Sequence, residues 1–279
     1  MMAPGRLPDI LCPPDYAVRE LWAKNRLQQL DHARLPNLEY IDPIFRFGRA
    51  HDPNGDVSII KDWGTTGLMY RQDMVYKTPL SWADFWDLAE EYSGRVVVLD
   101  SPGEVIGAAL KMRGYSYNAT HPEALSQARD DLVRLKPHLL AFTTDYRPLI
   151  ASGEACLALG WNGDAAALRK EGIPVQYVIP EEGSQIWEDD WGIASGAPHL
   201  EAAYAFLNFV LRPEIAAQEA RYTGYATGNQ AAYSLLDETT RLDASVYPPM
   251  EVLRKLERGL PLESDGDLRR RRLWAEIRV

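Results

Sequence analysis

Two short stretches concentrate the side chains that could do chemistry: Gly160-Trp-Asn-Gly-Asp164 and Gln185-Ile-Trp-Glu-Asp-Asp-Trp-Gly192. Each sets an indole beside carboxylates. An aromatic face attracts an ammonium through its quadrupole, and a neighbouring carboxylate adds directed hydrogen bonds, so the pair selects amines better than either group alone. Glu104, Asp189 and the run Tyr225-Ala-Thr-Gly228 add further acids and aromatics. A lone acid at a helix start also serves as a cap or a dipole partner, and a lone Trp as core. The joint pattern therefore carries the reading, and it points to a small cation.

Reactive chemistry is hard to build from the same sequence. Among its motifs there is no Gly-x-Ser-x-Gly elbow, no His-Glu-x-x-His pair, no phosphate-binding loop and no dinucleotide glycine fingerprint. The five histidines, His32, His51, His121, His138 and His199, are scattered. Neither a nucleophile with its base nor a metal cluster can be assembled, so we expect no enzyme, no catalytic residue, no metal and no cofactor. Asp52, Asn54, Asp56 and Ser58 alternate like the first ligands of a calcium loop, but Gly55 comes one position early and Trp63 stands where a closing glutamate belongs. A plain turn is the expectation there.

The elements that would position these residues alternate along the chain. Asp9–Cys12 reads as a buried strand followed by a helix through Lys24, and the segment from Leu30 to Asp56 is turn-rich. Val57–Ile60 and Gly67–Arg71 read as strands around Asp62-Trp-Gly-Thr-Thr66, and Ser81-Trp-Ala-Asp84 as a capped helix start. Strand-like runs then follow at Val96–Leu99, Leu139–Phe142, Ala155–Gly160 and Val175–Ile179, with helices between them. That alternation predicts an α/β domain with a largely parallel sheet. Trp161 would then sit in a turn with Asn162, Gly163 and Asp164 at a strand's carboxyl end, where open sheets of this kind bind ligands. After Pro180 one strand, Ile186–Ala194, precedes helices at Leu200–Leu211, Pro213–Tyr222, Gln230–Leu236 and Met250–Arg258.

Composition sets the outer bounds. The 279 residues, 46% hydrophobic and 25% charged, suit one large domain or two lobes. A net charge of −10 argues against a nucleic-acid partner, because neutralising phosphates needs a basic surface. The one concentrated basic run, Arg269-Arg-Arg-Arg272, reads as a solvated helical face. Cys12 and Cys156 define no disulfide framework or zinc site. No apolar run is long enough to span a membrane, and Met1–Arg6 has no apolar core of the kind an export signal needs.

Taken in order, Asp52-Pro-Asn54, Trp63-Gly-Thr-Thr66, Ser81-Trp-Ala-Asp84, Glu104-Val105, Gly114-Tyr115, Trp161-Asn-Gly163, Trp187-Glu-Asp189, Leu211-Arg-Pro213 and Gly224-Tyr225 resemble the periplasmic spermidine/putrescine-binding proteins, the receptors of polyamine ABC importers. The likeness runs from about Pro8 to about Tyr247. It implies a two-lobe fold of the type II periplasmic binding protein kind, here with residues 1–78 and 184–279 as the first lobe and 79–183 as the second. It also implies a monomer in the periplasm that holds a polyamine in the cleft between lobes, closes about hinges near residues 78 and 184, and delivers its ligand to a membrane permease.

By the same resemblance Trp161 and Trp187 flank the methylene chain, Asp189 and Glu104 bind the amines, and Tyr225 and Tyr16 complete the wall. Ser101 stands where such receptors often carry a second acid, which would change ligand choice. Pro14 and Asp15 replace a small hydroxyl pair before Tyr16, and the last seventeen or so residues fall outside the likeness. The export signal and the first strand-helix-strand unit of the family are not found in this sequence, so we expect a shortened first lobe whose Asp9–Cys12 strand has an unpaired edge. Other readings stay open: a receptor for thiamine, a metal chelate or an amino-acid derivative; a bilobal sensory domain; or a remnant without ligand function.

Overall fold

The computed structural model describes residues 8–262 and 264–278. In chain order its strands and helices are β1 (Ile10–Leu11), α1 (Asp15–Ala23), β2 (Ile59–Arg71), α2 (Trp82–Glu91), β3 (Val96–Val98), α3 (Pro102–Met112), α4 (Pro122–Leu135), β4 (Leu139–Phe142), α5 (Arg147–Ser152), β5 (Leu157–Trp161), α6 (Asn162–Lys170), β6 (Val175–Val178), β7 (Gln185–Ile193), α7 (Leu200–Val210), α8 (Pro213–Thr223), α9 (Gln230–Tyr233), α10 (Glu238–Arg241), α11 (Met250–Leu253), β8 (Glu257–Arg258) and α12 (Ser264–Arg278). Local chemistry explains many of the boundaries. Ser81 and Asp84 close a reciprocal capping box at the start of α2, as the sequence suggests. Pro102, Pro122 and Pro213 begin α3, α4 and α8, where a missing N–H costs nothing.

The chain divides into two compact units, one of residues up to Trp63 with Trp187–Leu242, the other of Gly64–Ile186 with Asp243–Val279. It passes from one to the other inside β2, inside β7 and at Leu242; the β7 crossing, between Ile186 and Trp187, lies close to residue 184, whereas the β2 crossing, between Trp63 and Gly64, lies well before residue 78. Residues 64–78, 184–186 and 243–279, which the sequence reading placed with the first lobe, group with the second unit.

In the second unit the strand order is β4, β3, β5, β2, β6. β3 is parallel to β4 and β5, whereas β2 is antiparallel to β5 and β6, so only part of the sheet is parallel. β2 also departs from the sequence reading. The two strands expected around Asp62–Thr66 are one strand of 13 residues. Gly67 permits this, because a Cβ there would lie 2.5 Å from the carbonyl oxygen of Val178 on the paired strand. The core is continuous over Trp82, Phe85 and Trp86 of α2, Val96–Val98, Ile106 and Leu110 of α3, Leu132 of α4 and Leu157–Leu159 of β5.

Leu273 and Ile277 of α12 join this core, and α12 packs on α3 and α4. Gly266, Arg270, Leu273 and Ile277 are its buried residues, a spacing of one helical face. Arg270 is therefore not part of a solvated face. It is 5% exposed and donates to the carbonyl oxygens of Tyr117 and Gly103 at 3.0 and 3.1 Å. Arg269, Arg271 and Arg272 remain exposed.

In the first unit β1 pairs antiparallel with β7, Ile10 opposite Ile193 and Leu11 opposite Gly192. Its residues are half-buried rather than enclosed in a parallel sheet. Val18 of α1, Leu27 and Val57 form a small core beneath it. The turn-rich stretch contributes three short 3-10 turns between His32 and Phe45. Met250–Arg258, expected as one helix, is the four-residue α11 followed by the two-residue β8, which belongs to the second unit.

Candidate functional site

Trp161 is the last residue of β5 and the N-cap of α6, so Asn162–Asp164 form the first helical turn rather than a loop. Its backbone N–H donates to the Tyr146 hydroxyl at 2.8 Å. The preceding Gly160 leaves room for that hydroxyl, since a Cβ there would approach it to 2.5 Å. The indole Nε1–H donates to Glu104 Oε1 at 2.6 Å. Glu104 lies in the first turn of α3 and is 8% exposed. The same oxygen accepts from Thr66 Oγ1 of β2 at 2.7 Å. Three elements of the second unit thus lock an indole edge onto a carboxylate. Asn162, fully buried, fixes the arrangement further by accepting from the Thr65 N–H at 3.0 Å. Ser101 is the N-cap of α3 and makes no side-chain cap bond.

The first unit carries its own aromatic and acidic face. Residues along a strand alternate between sides, so β7 presents Trp187, Asp189 and Trp191 on one side and Glu188 and Asp190 on the other. The Tyr225 ring meets Trp187 edge to face, with centroids 5.0 Å apart. The Trp187 Nε1–H is buried and finds no hydrogen-bond acceptor among the described residues. Desolvation lifts the Asp189 carboxyl above its ordinary range, and Lys61 counters the shift. Tyr16, on α1, is 62% exposed. The structure brings Trp161 to Glu104 and Trp187 to Tyr225; it shows no direct bond from Ser101 to either pair among the described residues.

The far side of β7 is ionic. The donor atoms of His51, Glu188 and Asp190 are buried and lie within 4.8 Å of one another, a set that could ligate a metal. Arg49 already answers these carboxylates, with Nη1 2.7 Å from Asp190 Oδ1 and 3.7 Å from Glu188 Oε2. His51 Nε2 lies 2.8 Å from Asp190 Oδ2. We read a buried ion network that fastens β7 to the loop containing Arg49 and His51; losing one partner from such a network strands the others at a cost of roughly 3–5 kcal/mol. The calcium-like loop is closed by its own backbone: Asp52 accepts from the amides of Asp56, Val57 and Ser58 at 2.9, 3.1 and 2.9 Å.

Sequence reasoning missed Thr66, Tyr146, Lys61 and the Arg49–His51 pair as neighbours of these acids. Only the triple acid Glu188-Asp-Asp190 on a predicted strand hinted that one side of it would need buried cations.

Aromatic and acidic faces on α/β units, with the chain threading twice through both inside long strands, define the class of solute-binding receptors. This chain belongs to the bacterial extracellular solute-binding protein family, whose model matches residues 1–244. It is 36% identical over 252 residues to the spermidine/putrescine-binding periplasmic protein of Escherichia coli, covering 89% of this chain and 71% of that one. It is 33% identical over 273 residues to the putrescine/agmatine-binding protein of Pseudomonas aeruginosa, covering 91% and 74%. Among solved structures, the spermidine/putrescine ABC transporter substrate-binding protein of Streptococcus pneumoniae is similar with a TM-score of 0.86 and 31% identity, over 98% of this chain and 84% of that one. No helix among the described residues is long and apolar enough to cross a membrane.

Proposed function

We propose that this chain is the solute receptor of an ABC importer, that it works in the periplasm, and that its ligand is a polyamine of the spermidine/putrescine class. The observation that carries the reading is the Trp161–Glu104 pair, an indole held by its edge to a buried carboxylate at 2.6 Å. Such a pair offers a flat apolar face for methylenes and an anion for an amine, without the ring having to reorganise when the ligand arrives. Trp187, Tyr225 and Asp189 repeat the chemistry on the other unit. The names of the relatives support the same ligand class.

The roles rest on the resemblance to the polyamine receptors. Glu104 and Asp189 take ammonium groups, Trp161 and Trp187 pack on methylenes, Tyr225 and Tyr16 complete the wall, and Ser101, the N-cap of α3, stands where a second acid would bind an amine. No step of bond making is involved; the ligand is bound, carried to a membrane permease and released.

The test is Trp fluorescence and calorimetry on the purified chain with spermidine and with putrescine. We expect saturable binding, weakened about 10- to 100-fold in Glu104→Gln and in Asp189→Asn, the size of a charge-assisted hydrogen bond. A folded wild-type protein that gives neither heat nor fluorescence change with either amine overturns the reading.

A further inference from the structure

Lys61 stands among the acids of the first unit, and the proposed ligand chemistry does not use it. Its ammonium pairs with Asp62, and lies 3.2 Å from Glu219 Oε1 of α8. It also lies 5.8 Å from the centroid of the Trp191 ring. Trp191 shares its side of β7 with Trp187 and Asp189, and the Asp189 carboxyl feels the Lys61 charge. The Cys12 thiol, raised chiefly by desolvation and then by Asp189, is held down by the same Lys61. An ammonium near an indole face and between carboxylates is the arrangement that the unit would offer to a ligand amine. Here the chain supplies that ammonium itself.

We propose that Lys61 is a specificity-determining residue: its ammonium fills one amine position on the first unit's aromatic and acidic face, so the receptor favours a diamine over a triamine. This rests on the polyamine reading above and narrows its ligand class. The argument is electrostatic. A third ligand ammonium brought to this face would meet a fixed positive charge that the protein has already paired, and like charges a few ångströms apart in a partly desolvated site repel strongly. Lys61 has little freedom to withdraw, since its side chain is 17% exposed and ion-paired with both Asp62 and Glu219. The plainer role, a strut joining β2 to α8, predicts the same contacts but no effect on which amine is chosen.

The ratio of the spermidine and putrescine dissociation constants, measured by calorimetry, separates the two. In Lys61→Met the ratio should move about tenfold or more toward spermidine, because the substitution removes the repelling charge and frees its carboxylates. Lys61→Arg keeps the charge and should keep the wild-type ratio. Lys24→Met, which removes an exposed charge paired with Glu20 on α1, should leave the ratio unchanged and so excludes a general effect of net charge. If Lys61→Met does not fold, Lys61→Gln reads the same ratio. A folded variant that binds both amines with the wild-type ratio overturns the proposal and leaves the polyamine reading standing. Wild-type protein and variant both failing to bind either amine overturns the two together, and spermidine binding gained only in the variant supports the proposal.

Discussion

At the scale of single residues, burial without a matching partner produces a pH dependence. Asp15 opens α1, is 1% exposed, and bonds the Tyr16 N–H through Oδ1 while Oδ2 has no hydrogen-bond partner among the described residues. Desolvation lifts its carboxyl from 3.8 to about 7, with Glu188 and Asp190 adding to the rise and His51 opposing it. Between these values the folded chain holds a proton that the unfolded chain has released. Stability therefore falls as pH rises from about 4 to about 7 and is flat beyond, the reverse of a salt-bridged carboxylate. Asp15→Asn should melt together with wild type near pH 4 and above it at pH 8, by roughly 1–4 kcal/mol. Thermal melts across that range check the sign; a variant that is less stable at pH 8 means that the Asp15 anion helps the fold.

At the scale of elements, close approaches between α3 and its neighbours fix where Glu104 points. A Cβ on Gly107 would lie 2.0 Å from Cε2 of Tyr117. Tyr117 cannot easily yield, because it is 4% exposed and its hydroxyl donates to Gln185 Oε1 at 2.6 Å. Alanine at position 107 would gain up to about 1 kcal/mol in helix propensity, but overpacking of a filled site costs roughly 1–3 kcal/mol. Gly107→Ala should therefore lower stability in chemical denaturation and shift the near-ultraviolet signal of Tyr117. The carboxyl-terminal helix is a second such element. Ile277 of α12 is 1% exposed in the core shared with α3 and α4, so Ile277→Ala should cost roughly 2–5 kcal/mol. An unchanged denaturation midpoint would mean that α12 is not docked in solution.

At the scale of the whole molecule, the chain's division decides what is continuous. β2 begins in one unit and ends in the other, carrying Lys61 and Asp62 in the first and Thr65 and Thr66 in the second. β7 does the same, with Gln185 and Ile186 in the second unit and Trp187–Ile193 in the first. On the first unit, Trp187 and Asp189, proposed to bind the ligand, share β7 with residues of the second unit, and Lys61, proposed to select it, shares β2 in the same way. A change in either strand that is meant to probe binding should be judged together with a stability measurement, because Asp62, lifted by desolvation to about 7, and Glu188 are buried in those strands.

The sequence by itself determined much of this protein. The two Trp-acid stretches, the helix starts at Ser81, Pro102, Pro122 and Pro213, and the α/β alternation were all legible, because each rests on local spacing, caps or strand period. The family followed from the order of its motifs. What local rules do not contain is which distant groups share a carboxylate. Thr66 and Trp161 meet on Glu104 only because β2 and β5 pair beside the start of α3. Arg270 is buried because α12 lays one face on α3 and α4, a docking that the charge of the run gives no hint of. Lys61 became a candidate only when β7 set Trp191 beside it. Tertiary structure decided these points, since burial and ion pairing depend on which elements meet, and that is a property of the folded chain rather than of any window along it.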